Sequence, residues 1–281
     1  MKTWKKIVLG VSLISLFLGG GLVAWGYSQG GLTDLQNKTI SEQDYVKKEV
    51  KDFNKIDIKS SSYNVLIKNG EVDKATLSYY QKTKNPIDTS VKDGQLTIND
   101  NNSELDSTSN KHINFFGLKD LVRLSTLNKE VRNKTIVITL PKKQTIDFLK
   151  VDLATGNLDL SNSTIKQADI NLNVGDLTFT KMIVSNLKAN LDVGSVDSDY
   201  TLFTNSDLSI AMGDYSGDNL IFNGHNKLDV TSGDIEIVLK DYTLNVQADS
   251  HSGEVDITNN LKISKDNTLT ITSDLGDITV E

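Results

Sequence analysis

Acidic residues recur down the second half of the chain at a spacing that could build a site by repetition. Asn157, Asp176, Ser195, Asp214, Asp234, Glu254 and Asp277 each follow a glycine, and Asp159, Asp197, Glu236 and Asp256 lie two residues further on. Three chemistries compete for such a column. Asp and Asn beside a turn glycine satisfy backbone donors while water screens their charge. Oxygen ligands repeated at a strand spacing of ~4.8 Å suit a hard cation of the calcium kind. Asp214, Asp234, Glu254 and Asp277, the acids of the last four repeats, are the metal candidates. Two neighbouring carboxylates, one with a raised pKa, could instead cleave a glycosidic bond. The turn role is favoured. The glycine-rich nonapeptide of calcium-binding β-rolls is missing from the sequence, and a column repeated in every unit is the opposite of one distinctive catalytic pair.

Other reactive side chains are sparse. His112, His225 and His251 are far apart in sequence, and no nucleophile elbow accompanies a His–Ser pairing. There is no cysteine, hence no disulfide, thiolate site or lipidated cysteine. Phosphate loops, dinucleotide fingerprints and zinc spacings do not occur either. No catalytic residue and no cofactor is expected. An enzyme acting on cell-wall or host glycans would need an aromatic platform beside two acids, for which Tyr200, Tyr215 and Tyr242 are the candidates.

The glycines that precede the acids reveal the elements that carry them. Gly156, Gly175, Gly194, Gly213, Gly233, Gly253 and Gly276 form a near-regular series with a period of roughly 20 residues, the mark of a stacked repeat. Five residues before each stands an apolar side chain, as in Val151, Ile170 and Leu208, and two after each stands another, as in Leu158, Leu177 and Ile235. Strand side chains alternate with period two, so these two sets fall on opposite faces unless the chain turns a corner near the glycine. Glycine adopts the required backbone angles at little cost. Each repeat reads as strand, corner, strand and return. Equivalent strands stack in parallel if the domain is a β-solenoid; each glycine–acid pair is a two-residue hairpin turn if it is an antiparallel meander. The near-constant period favours an all-β, β-helix-like solenoid with coils of about 20 residues.

At the amino terminus, Lys2, Lys5 and Lys6 precede an uncharged stretch, Ile7–Trp25, long enough at ~1.5 Å per residue to cross a ~30 Å hydrocarbon layer. A cleaved signal peptide is the competing reading, but the apolar run exceeds its usual length and no clear cleavage site follows. Residues 1–27 are expected as one transmembrane helix with the carboxy-terminal part outside the cytoplasm. Residues 28–50 read as a juxtamembrane spacer with a short helix near 41–50. Residues 51–281 form the β-repeat domain, interrupted at 99–134, where Ile113–Leu127 is strongly apolar and reads as a short helix or flap plugging one end, with a partner- or membrane-contacting element as the alternative. The net charge of −7, carried despite the amino-terminal lysines, argues against a nucleic-acid partner. The acids gather at the glycine corners, and the lysines Lys166, Lys181, Lys188, Lys227, Lys240, Lys262 and Lys265 are expected in the return segments.

The runs IVITLPKKQTIDFLKVDLATGNLDLSNS, NVGDLTF, DVTSGDIEI and SGEVDIT resemble the DUF4097 family of bacterial "putative adhesin" β-strand-repeat proteins. The leucine–proline–lysine step and the repeated glycine–acid–aliphatic unit carry the likeness, which covers about residues 50–281. It implies a β-solenoid-like fold on an exported or membrane-tethered protein, often linked with envelope stress. The expectation is a non-enzymatic binding, adhesion or scaffold module on the membrane of a Gram-positive cell, its partner a cell-wall polymer or an envelope protein. A glycan-active enzyme and a sensor subunit signalling to a membrane partner are the alternatives.

Overall fold

The structure, a computed structural model, describes residues 43–82, 86–100 and 134–281. The expected membrane helix, the polar spacer before residue 43 and the Ile113–Leu127 flap lie outside the described residues. Every regular element among the described residues is a β-strand.

The strands of the glycine array pair in parallel, in register save for a bulge between Gly217 and Leu220, which decides for the solenoid over the meander. Leu158 lies beside Leu177, Leu177 beside Val196, and Val196 beside Tyr215. Before each glycine, Ile170 lies beside Ala189, and Ala189 beside Leu208. Each coil therefore contributes one strand before its glycine and one after. A third, short strand follows, as at Thr164–Ile165, Ile183–Ser185 and Leu202–Thr204. The three strands stack into three faces. The pre-glycine face is a ten-stranded sheet; the other two join as one sheet through Tyr215–Asn223, which bends between Gly217 and Leu220.

Three corners close each coil, where the sequence pattern disclosed one. The glycine corner has φ between 143° and 153° at Gly156, Gly175, Gly194, Gly213, Gly233 and Gly276. A second corner falls six residues on, with Asn162, Lys181, Tyr200 and Asn219 at φ from 51° to 56°. The third uses Asn186, Asn205 and Gly224, at φ from 48° to 66°. Asparagine tolerates this left-handed region best among side-chain-bearing residues, because its short amide bonds locally. The glycine corner admits no side chain for a second reason. A Cβ on Gly213 would lie 2.6 Å from the carbonyl carbon of Gly194, because each coil's glycine carbonyl closes over the next.

Inward positions form one continuous core. Val151, Ile170, Ala189, Ile210, Leu177 and Ile235 are all essentially inaccessible. Aromatic rings from the second and third faces meet inside: Phe179 packs edge-on to Phe203 at 5.3 Å, and Phe203 stacks on Phe222 at 5.8 Å.

The spatial order of coils differs from the chain order at both ends. The strand Thr268–Leu275 lies between His225–Ser232 and Asn245–Ser252, so the coil of Gly276 is slotted between those of Gly233 and Gly253. At the other end, Lys55–Ser60 lies between Phe148–Leu153 and the later strand Gln95–Asn99. Antiparallel strands close that end: Asp88–Lys92 along Gln95–Asn99, and Thr76–Lys82 along Thr135–Pro141. Beyond them Gln43–Glu49, expected as part of a short helix, is a strand flanking Thr76–Lys82. Packing overrides local preference there, with Val46 against the core between exposed Tyr45 and Lys47.

Candidate functional site

The corner column is a ladder of side chains holding backbone. Asn64 Oδ1 accepts the N–H of Asn157 at 2.9 Å, Asn157 that of Asp176 at 3.0 Å, and Asp176 that of Ser195 at 3.1 Å. Ser195 Oγ accepts from Asp214 at 3.4 Å, and Asp214 from Asp234 at 2.9 Å. Asp234 then accepts from Asp277 at 2.9 Å, and Asp277 from Glu254 at 2.8 Å. The four metal candidates are thus brought into one column, in the spatial order Asp214, Asp234, Asp277, Glu254. In each of the first three, one carboxylate oxygen is engaged by a neighbouring coil. Among the described residues, no group of three or more His, Asp or Glu stands where it could hold a metal ion. The turn role anticipated for these residues takes the form of a bond between coils.

Two further columns run along the outside of the pre-glycine face. Asp57, Lys150, Asp169, Lys188, Asp207 and Lys227 stand side by side on successive strands, alternating in sign at every step. Two residues along, Asp152, Asn171 and Asn190 form an amide ladder, with Asn171 Nδ2 donating to Asp152 at 3.0 Å and Asn190 Nδ2 to Asn171 at 2.9 Å. Ion pairs tie the columns together, Lys150 to Asp152 at 3.6 Å and Lys227 to Asp229. The Asp229 carboxylate, as the nearest partner, raises the pKa of the Lys227 ammonium above the usual lysine value. Lys188 and Lys227, expected in the return segments, thus stand on pre-glycine strands, and because the column joins residues a coil or more apart in sequence, no local pattern carries it.

Asp159 is the acid with a distinctive environment. Burial raises its carboxyl above the ordinary value and the nearby Asp176 charge adds to this, while a hydrogen bond from Thr178 opposes it. The aromatic candidates do not gather beside it: Tyr200 is exposed at a corner, Tyr215 is buried in the core, and Tyr242 packs against the core's edge. His225 is exposed, with Nδ1 at 3.1 Å from Thr268 Oγ1, and His251 is exposed on the outermost strand. His112 lies outside the described residues. At the opposite end, Asp100 is buried and accepts from Ser60 Oγ at 3.2 Å and Ser61 Oγ at 3.0 Å. Burial first, and the Asp100 charge second, push the Tyr63 phenol up to about 12. Its hydroxyl donates to the Tyr80 carbonyl at 2.9 Å, which makes this a structural cluster.

Stacked parallel coils, glycine corners closing over one another and side-chain ladders in register define a β-repeat protein. The chain belongs to the DUF4097 family: the family described as Toastrack DUF4097 matches residues 53–281. Solved structures with a similar chain path include a "putative adhesin" from Bacteroides fragilis, 15% identical with a TM-score of 0.34, covering 85% of this chain and 97% of that one. A "putative cell adhesion protein" from Clostridium sporogenes is 14% identical with a TM-score of 0.29, covering 85% and 99%. A "putative lipid binding protein" from Parabacteroides distasonis is 11% identical with a TM-score of 0.35, covering 86% and 98%. No curated protein matches the chain.

Proposed function

We propose that this protein is a non-enzymatic binding or scaffold module of the bacterial cell envelope, held to a Gram-positive membrane by residues 1–27 with its β-repeat domain outside. The observation that carries the reading is the pre-glycine face. Its outward side chains repeat at the strand spacing of ~4.8 Å, with charges and amides in fixed columns. A surface that repeats suits a ligand that repeats, so a cell-wall polymer is the favoured partner and an envelope protein the second. The Lys-flanked apolar run at Ile7–Trp25 supports the anchor. Glycan cleavage has one observation on its side, the raised carboxyl of Asp159.

The test is retention of the full chain, in mild detergent, on isolated cell wall and on membrane fractions, with reducing-end release measured in parallel. Retention on cell wall that is lost on reversing the charges of Lys150, Lys188 and Lys227 supports the reading. Release of reducing ends that stops in Asp159→Asn would replace it with the enzyme.

A further inference from the structure

The two ends of the stack are finished differently, and the difference points to a partner. Antiparallel strands close the end near Lys55–Ser60. At the other end the outermost strands are Asn245–Ser252 and Val255–Ile257, and among the described residues nothing pairs with their outer edges. Val255 occupies the same register as Ile278, which is fully buried, yet it is 41% exposed. Ile263 is 85% exposed, and Val246, Ala248, Ile257 and Leu261 are only partly covered. The core thus runs out through this end, behind an edge whose outward donors and acceptors have no strand partner among the described residues. Such an edge is a template for another strand.

We propose that this open end joins two copies of the chain, tail to tail, about a two-fold axis. Head-to-tail stacking is blocked by the antiparallel strands that close the other end, and two identical edges can pair only antiparallel, through a self-complementary patch. Continuing the core requires inward residues to face inward residues. Centring the pairing on Asp249 sets two carboxylates opposite each other, which is unfavourable. Centring it on Ala248 overlaps the strand from Asn245 to His251 and sets Asp249 against the partner's Gln247, and Val246 against the partner's Ser250.

The same axis supplies charge complementarity. Reversing the strand brings the side that follows it in one copy against the side that precedes it in the other. Exposed Glu254 and Asp256 then meet the third face and the bend after it, where exposed Lys262 and Lys265 outnumber Asp266. Thr243 bridges to Lys262, placing it on the third face of the outermost coil, with Lys265 in the bend that follows. The arrangement occurs twice, once on each side of the axis.

The test uses the full chain in mild detergent, and its lack of cysteine makes cross-linking clean. Light scattering on the eluting peak should give twice the 30.9 kDa chain mass. Ala248→Cys should form a disulfide dimer under mild oxidation, since facing Cα atoms in an antiparallel pair, ~4.5–5.5 Å apart, fall within disulfide reach. His251→Cys alone should not, because its two copies would lie about 20 Å apart along the strand. Mixing Asn245→Cys with His251→Cys should give the cross-linked hetero-pair, which keeps the test open if Ala248→Cys folds poorly. A monomer, or a dimer in which His251→Cys cross-links as readily as Ala248→Cys, would overturn the proposal. Loss of cell-wall retention by a chain that still cross-links would count against the polymer reading alone.

Discussion

Oδ1 of Asp214 accepts the backbone N–H of Asp234 at 2.9 Å, twenty residues along the chain and one coil away. The bond explains why acids and amides follow the corner glycines: the position needs an acceptor rather than a charge. Asp214→Asn keeps the acceptor and removes like-charge crowding beside Asp234, so it should melt no lower than the parent. Asp214→Ala should lose about 1 kcal/mol, the net worth of one hydrogen bond. Thermal melts of the full chain with and without calcium separate the roles. A calcium-dependent rise in the parent that Asp214→Asn lacks would make the column a cation site.

Gly233 has φ of 148°, and its missing Cβ would lie 2.6 Å from the carbonyl carbon of Gly213. Backbone strain and steric overlap act together there. Gly233→Val should cost roughly 3 kcal/mol or more, read from urea unfolding midpoints. An unchanged midpoint would mean that the coils separate easily at this corner.

The alternating column predicts a charge-order effect. Lys188 stands between Asp169 and Asp207 on the neighbouring strands. Lys188→Glu places three acids in succession and should destabilise by about 1 kcal/mol at low salt, less at high salt. Adding Asp169→Lys should recover part of the loss. Equal melting of single and double variants would show that the column is idle.

Asp159 gives a pH signature of the less common sign. Its carboxyl is raised in the folded chain, so the folded state holds a proton that the unfolded chain has already released. The stability it contributes is full below the ordinary carboxylate value and is lost as pH rises through the raised one. Asp159→Asn should therefore melt higher than the parent at pH 7, and the gap should close on acidification to about pH 3. A gap independent of pH would trace the effect to packing.

Much of this architecture could be read in advance because one constraint repeats. Each corner glycine is forced by the carbonyl of the preceding one, so the period survives in the sequence where the side chains between have drifted. The slotted coil was hidden for the same reason. Gly276 carries the same pattern as Gly253, and only the longer interval between them hints at a connection that steps back a level. The ladder's first rung also went unseen, because Asn64 follows Tyr63, whose carbonyl lies beneath Gly156. Gln43–Glu49 defeated local reading since, among its described side chains, Val46 alone packs against the core.

The slotted coil has a mechanical consequence. A simple stack pulled from its last strand unzips one interface at a time, at low force. Here Ile278–Val280 is gripped by Ile235–Leu239 on one side and Val255–Ile257 on the other. Tension applied at that strand must shear two ladders at once before any coil can peel away. Such a latch lets the end of the stack resist force without peeling coil by coil.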